Sequence, residues 1–196
     1  MNPLLTAISN FSVTNRCNGK CTMCNIWKME QTPDPSLQQI TEFFKTNKSF
    51  LRSLKFIQLT GGEPFLRDYL PEIARAVQSA APKCTMWFPT NGLLPEKVTK
   101  IAKDMLDTLD NPQIGITISL DGEGAMHDIQ RGLDGSYKKA IETLRRLSEL
   151  KKSRAFFLST GFTLTSENYK HAPIIQKIAY QYGADFSFRP VNICEH

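Results

Sequence analysis

Apolar positions along this chain follow two alternating rhythms. Short runs rich in β-branched residues predict strands, and longer stretches with apolar residues at every third or fourth position predict amphipathic helices. A first strand is expected from about Thr6 to Val13, leading straight into a cysteine-rich loop. A helix should start after Pro35-Ser36 with Leu37, Ile40, Phe43 and Phe44 on one face, and a second strand should run from Leu54 to Thr60. Asp68 can cap the next helix, whose apolar face is Leu70, Ile73, Ala74 and Val77, with Pro71 tolerated in its first turn.

The same alternation continues. Lys83 to Pro89 reads as a third strand, Pro95 opens a helix carrying Val98, Ile101, Ala102, Met105 and Leu109, and Ile114 to Leu120 reads as a fourth strand. A fourth helix spans roughly Tyr137 to Leu150, and a fifth strand runs from about Ala155 to Leu164. A fifth helix carries Ile174, Ile175, Ile178 and Tyr182 and stops at Gly183, before a sixth strand from Ala184 to Val191. Strands alternating with helices imply an α/β fold with a parallel sheet and right-handed crossovers. Six units ending on a strand suggest a partial (β/α)6 TIM-like barrel, with an open doubly wound sheet as the alternative.

Bulk composition narrows the class. The 196 residues, 41% of them hydrophobic, suffice for one core, so residues 1–196 are expected to form a single domain. No run approaches a transmembrane span and no secretory signal pattern opens the chain, which predicts a soluble, cytoplasmic protein with no membrane partner. The formal net charge of +5 is spread over scattered basic residues, and no basic stripe with interleaved aromatics points to nucleic acid.

The cysteines change the picture. Five is an odd number for a disulfide framework, and three of them, Cys17, Cys21 and Cys24, form a Cys-x3-Cys-x2-Cys set in one short loop. Three thiolates are one short of a tetrahedral zinc site, whereas a cubane iron–sulfur cluster held by three cysteines keeps one iron open for another ligand. Zinc is the most serious competing reading, yet no second Cys-x2-Cys or His pair completes such a site. Cys84 lies in the third predicted strand and Cys194 near the terminus. A redox pair of Cys21 and Cys24 would leave Cys17 without a role, and Asn25 after Cys24 excludes a c-type haem attachment.

Further unusual residues fall just past the C-terminal ends of predicted strands: Gly61-Gly62-Glu63-Pro64 after the second, Thr90-Asn91-Gly92 after the third, and Ser119-Leu120-Asp121-Gly122 after the fourth. Each alone is an ordinary turn sequence. Together with the cysteine loop they converge on the face where α/β sheets bind ligands.

Cys17-x3-Cys21-x2-Cys24, the Gly61 to Pro64 run, Asn91-Gly92 and Ser119 to Gly122 together resemble the radical S-adenosylmethionine (radical SAM) superfamily over nearly the whole chain. With His127-Asp128 and Arg131-Gly132 following, the pattern is most similar to the branch of the molybdopterin-precursor cyclase and the SPASM-type peptide maturases. The resemblance implies a [4Fe–4S] cluster on Cys17, Cys21 and Cys24, with S-adenosylmethionine on the open iron. It implies that Gly61 and Gly62 admit the methionine moiety, that Glu63 offers a carboxylate to its ammonium, and that Asn91, Ser119 and Asp121 lie along the same cofactor. Arg131 would grip the methionine carboxylate, and Met23, at a position often aromatic in the family, would pack beside the adenine, near Gly161 to Thr163.

By the same resemblance the chain is an enzyme core that cleaves the cofactor reductively to a 5′-deoxyadenosyl radical, which abstracts hydrogen from a peptide or small biosynthetic intermediate. An electron donor such as flavodoxin or ferredoxin is implied as partner. The expected domain is a radical SAM core without a C-terminal auxiliary-cluster domain, either a fragment or a minimal core. The alternative is a non-catalytic, zinc-stabilised α/β binding module or an inactive fragment. His127, beside Asp128 in a loop, is expected to be a hydrogen-bonded structural group rather than a catalyst, and Cys194 a small thiol near the same mouth.

Overall fold

A computed structural model describes residues 7–30, 32–110 and 112–191. Thr6, at the expected start of the first strand, and Cys194 lie outside the described residues.

Six strands form one parallel sheet: β1 Ile8–Thr14, β2 Phe56–Gly61, β3 Thr85–Thr90, β4 Ile114–Ser119, β5 Phe157–Leu164 and β6 Asp185–Pro190. Each strand lies beside its predecessor, in the order β1-β2-β3-β4-β5-β6. A doubly wound sheet reverses its strand order at a switch point. This unbroken order is that of a partial barrel, and it settles the choice between the two architectures.

Alternation along each strand explains the layering. In β2 the Ile57 and Leu59 side chains are buried while Phe56, Gln58 and Thr60 are half-buried, and β3 repeats this with Met86 and Phe88 inside. The buried set meets the helices, which right-handed crossovers in one direction keep on one face. These are α1 Leu37–Thr46, α3 Leu70–Ala80, α4 Pro95–Thr108, α6 Ser136–Lys151 and α7 Ala172–Gln181, with two shorter helices, α2 Lys48–Leu51 and α5 Ala125–Arg131. Phe11 of β1 packs against Phe43 and Phe44 of α1, with ring centroids 5.8 and 5.2 Å away.

Local chemistry sets the helix ends. Ser36 and Gln39 form a capping box at α1, each side chain bonding the other's backbone N–H. Pro95 occupies the first turn of α4, where its missing N–H costs nothing. Gly183 follows α7 at φ 64°, the left-handed conformation that ends a helix. Asp68 does not cap α3. That helix starts after Tyr69 without a side-chain cap, and Asp68 instead pairs with Lys97 of α4 at 2.7 Å. Cys84 stands just before β3 rather than within it.

Candidate active site at the C-terminal strand ends

The cysteine loop leaves β1 at Thr14 and is pinned from three sides. Asp34 accepts the Thr14 hydroxyl at 2.8 Å and the Asn15 N–H at 3.2 Å, and pairs with Arg67 at 2.7 Å. Its side chain is 5% exposed and burial pulls its pKa up, yet those donors and the charges of Arg67 and Arg16 hold its carboxyl below the usual range. On the second side, Gly62 donates to the Thr14 carbonyl at 2.8 Å and Glu63 to that of Arg16 at 2.9 Å. The approach is so close that a Cβ at Gly61 would strike the Thr14 carbonyl and one at Gly62 that of Arg16; Gly61 also holds φ 125°, which side chains rarely adopt. On the third side, Lys20 N–H bonds the Arg131 carbonyl at 3.2 Å and Thr22 N–H bonds that of Gln130 at 3.0 Å.

Within this frame the Cys17 and Cys21 sulfurs both come within 3.8 Å of the point where a Cβ on Gly19 would stand, and Cys24 is exposed. Cys17 Sγ accepts from the Gly19 N–H at 3.4 Å and from Asn91 Nδ2 at 3.8 Å. Burial pushes the Cys17 thiol up, with Glu63 and Cys21 adding to the rise against those donors. Cys21 Sγ accepts from Arg131 Nη1 at 3.6 Å. Among the described residues no three His, Cys, Asp or Glu side chains converge closely enough to hold a single ion. A cubane cluster carries its irons at separate corners, so thiolates spread around a loop suit it. Three such thiolates, glycine backbone at close range and N–H donors aimed at sulfur fit an iron–sulfur cluster with an organic ligand beside it.

Glu63 does not present its carboxylate to the outside. It is 2% exposed; Oε1 accepts the Phe65 N–H at 3.1 Å and the Thr90 hydroxyl at 2.9 Å, and Oε2 accepts the Asn91 N–H at 2.7 Å. Burial raises its pKa to about 7, against the pull of those three donors and of Arg131. Asp121 is likewise enclosed. Its Oδ1 accepts the Thr163 N–H at 2.6 Å, its own N–H donates to His127 Nδ1 at 3.0 Å, and its carbonyl accepts from Asn168 at 3.0 Å.

Arg131 ion-pairs with the Asp121 carboxylate, and among the described residues its Nε finds no partner. Burial disfavours its charge, but Asp121 and Cys21 outweigh that and raise its pKa. Asn91 reaches Asn18 as well as Cys17, and its side-chain oxygen accepts the Leu93 N–H at 3.0 Å. Ser119, half-buried, ends β4 in register with Gly161. Met23 Sδ accepts from Gln130 Nε2 at 3.1 Å.

His127 and Asp128 lie on α5, not in a loop. His127 is fully buried, burial and the Arg131 charge lower its pKa to about 3, and among the described residues its Nε2 has no partner. Asp128 ties α5 to α6 by accepting from the Ser136 hydroxyl and from the Gly135 and Tyr137 N–H groups. Sequence reasoning missed Asp34, Gln130 and Asn168. Only Asp34 left a signal, a carboxylate between Pro33 and Pro35.

Comparison with known proteins agrees with this geometry. The family model described as "Radical SAM superfamily" matches residues 11–177, and the chain belongs to that superfamily. Its cofactors are a [4Fe–4S] cluster and S-adenosylmethionine. Among curated proteins, the pre-heme d1 synthase of Dinoroseobacter shibae is 27% identical over 89% of this chain and 41% of its own length. A probable GTP 3′,8-cyclase of Methanocaldococcus jannaschii is 31% identical over 88% of this chain and 55% of its own length. The chain therefore spans about half the length of the curated relatives it matches. Among solved structures, SuiB of Streptococcus suis bound to S-adenosylmethionine superposes with a TM-score of 0.75 at 15% identity, over 97% of this chain and 42% of that one. That likeness shows the fold. Among the described residues no helix is long and apolar enough to cross a membrane.

Proposed function

For a chain of the radical SAM superfamily, we propose a catalytic core that acts on S-adenosylmethionine at a [4Fe–4S] cluster held by Cys17, Cys21 and Cys24. The observation that carries this reading is the pinned loop itself, a three-cysteine segment tied at Thr14 and Arg16 to Gly62 and Glu63 and at Lys20 and Thr22 to α5, with N–H donors on two of the sulfurs. When bound, the pair of cofactors supplies one-electron cleavage of a sulfonium carbon–sulfur bond and a 5′-deoxyadenosyl radical that abstracts hydrogen from substrate.

The chain's own residues orient and enclose. Gly61 and Gly62 offer backbone to the methionine moiety, Asn91 and Ser119 offer neutral hydrogen bonds, and Met23 packs beside the adenine. Glu63, Asp121 and Arg131 act from behind this layer. Their charges are spent on the protein, so they fix the loops that meet the cofactor rather than gripping it.

The substrate is a peptide or a small biosynthetic intermediate. Structural neighbours bound to peptides, SuiB with its precursor peptide and anSMEcpe with the Cp18Cys peptide, support the first. The names of the curated relatives, a pre-heme d1 synthase and GTP 3′,8-cyclases, support the second. Electrons would come from a low-potential protein such as flavodoxin or ferredoxin. We read residues 1–196 as one core domain of a cytoplasmic enzyme.

Anaerobic reconstitution tests the reading. About four irons per chain, a spectrum that changes on adding S-adenosylmethionine, and 5′-deoxyadenosine after dithionite are expected. Stoichiometric zinc with no cofactor cleavage would overturn it in favour of a binding module.

A further inference from the structure

We propose that Arg131, aimed by Asp121, sets the reduction potential of the cluster through its contact with the Cys21 sulfur. The inference rests on the cluster reading above and goes beyond it, because it gives the buried pair a role in electron uptake rather than in holding S-adenosylmethionine.

The three cysteines are not equivalent. The donors to Cys17 are neutral, the Gly19 N–H and the Asn91 amide, and Cys24 is exposed. Cys21 accepts instead from a cation, Arg131 Nη1 at 3.6 Å, with both residues buried. Hydrogen bonds to cluster sulfurs and nearby charge are the means by which a protein tunes such a centre.

The contact is built to be rigid from both ends. Asp121, fully buried, accepts the Thr163 N–H on its carboxylate at 2.6 Å, while His127 accepts its backbone N–H and Asn168 donates to its carbonyl, so both the backbone and the carboxylate that anchors the guanidinium are fixed. On the other side, residues flanking Cys21 are tied to the helix that carries Arg131, Lys20 to the Arg131 carbonyl and Thr22 to that of Gln130. Donor and acceptor therefore share one frame, and the guanidinium is the nearer pole of the pair to the sulfur.

Reduction adds one electron to a centre already negative with three thiolates, and no bond or proton need change in the protein. A cation at one thiolate stabilises the more negative product, and low dielectric strengthens the effect. Asp121 offsets part of the charge but leaves a dipole with its positive end on Cys21. Removing Arg131 alone should lower the potential most, since it leaves the Asp121 charge behind. Removing both charges should lower it less.

The test is a dithionite titration of the reconstituted full chain, followed by EPR of the reduced cluster. Asp121→Asn with Arg131→Gln removes both buried charges together, the change least prone to unfold the site. We expect iron content equal to the parent and a one-electron reduction constant about tenfold smaller, which is about 59 mV. Arg131→Gln alone should fall further. A double variant with the parent's iron and the parent's midpoint would overturn the inference. Loss of iron from that variant alone would also overturn it, by making the pair a requirement for assembly. A parent chain that holds no cluster would instead defeat the functional reading beneath it.

Discussion

The Glu63 carboxylate accepts the Asn91 backbone N–H at 2.7 Å, so one buried side chain ties the turn after β2 to the turn after β3. Removing it strands three donors, the N–H groups of Phe65 and Asn91 and the Thr90 hydroxyl. Each buried, unpaired donor costs about 1–3 kcal/mol before relaxation. Glu63→Ala should therefore destabilise the chain by about 3 kcal/mol in urea denaturation, and Glu63→Gln, which keeps the shape and one acceptor, by about half of that. Equal stability of wild type and Glu63→Ala would mean that the carboxylate is not the tie described.

Glu63 and His127 should give opposing pH dependences. The Glu63 carboxyl is raised from 4.5 to about 7, so its contribution is fully present below pH 4.5 and is lost as pH rises through 7. The His127 imidazole is lowered from 6.5 to about 3, so its contribution is present above pH 6.5 and is lost as pH falls toward 3. Either slope is at most about 1.4 kcal/mol per pH unit. Between pH 4.5 and 6.5 they offset, giving a flat wild-type profile. Stability of Glu63→Gln should rise with pH across that window, and stability of His127→Gln should fall. Parallel profiles in all three proteins would refute both assignments.

These two residues also mark where the sequence stopped being legible. The helices α1, α3, α4, α6 and α7 were readable because their buried faces are apolar and periodic, as with Ile73, Ala74 and Val77 of α3. Helix α5 was not, since what it buries is His127, Gln130 and Arg131, a polar face that hydrophobic periodicity cannot register. The loop chemistry was readable as residue types at strand ends. The direction of the side chains was not: a Gly-Gly-Glu run does not reveal that Glu63 turns inward to Asn91, nor a distant arginine that it reaches Asp121 and Cys21.

Gly62→Ala probes the close approach that holds the cysteine loop. A Cβ there would collide with the Arg16 carbonyl, which is backbone and cannot swing away as a side chain would. The hydrogen bonds from Gly62 to Thr14 and from Glu63 to Arg16 would have to lengthen, moving the loop by which Cys17 is presented. The expected outcome is destabilisation of about 2 kcal/mol together with reduced iron uptake on reconstitution. Gly183→Ala serves as a comparison, because its Cβ would meet nothing within 4 Å among the described residues and strain only the left-handed turn. It should lose stability while keeping its iron.

The cysteines themselves give the sharpest separation between ligand and core thiol. Cys84 is 4% exposed and stands just before β3, and burial alone pushes its thiol up to about 11, so it is held as a neutral, apolar side chain. Cys84→Ala should cost about 1 kcal/mol in urea and leave the iron content unchanged. Cys17→Ala, Cys21→Ala and Cys24→Ala should each abolish stable cluster assembly, with little loss of fold from exposed Cys24. Cys17 and Cys21 differ from it in having N–H donors aimed at the sulfur, so their removal leaves Asn91 and Arg131 without those acceptors. The comparison to make is iron per chain against urea midpoint for all four variants. A centre held by three thiolates predicts that iron is lost in the trio irrespective of stability, whereas equal loss in Cys84→Ala would require a fourth protein ligand and close the open iron.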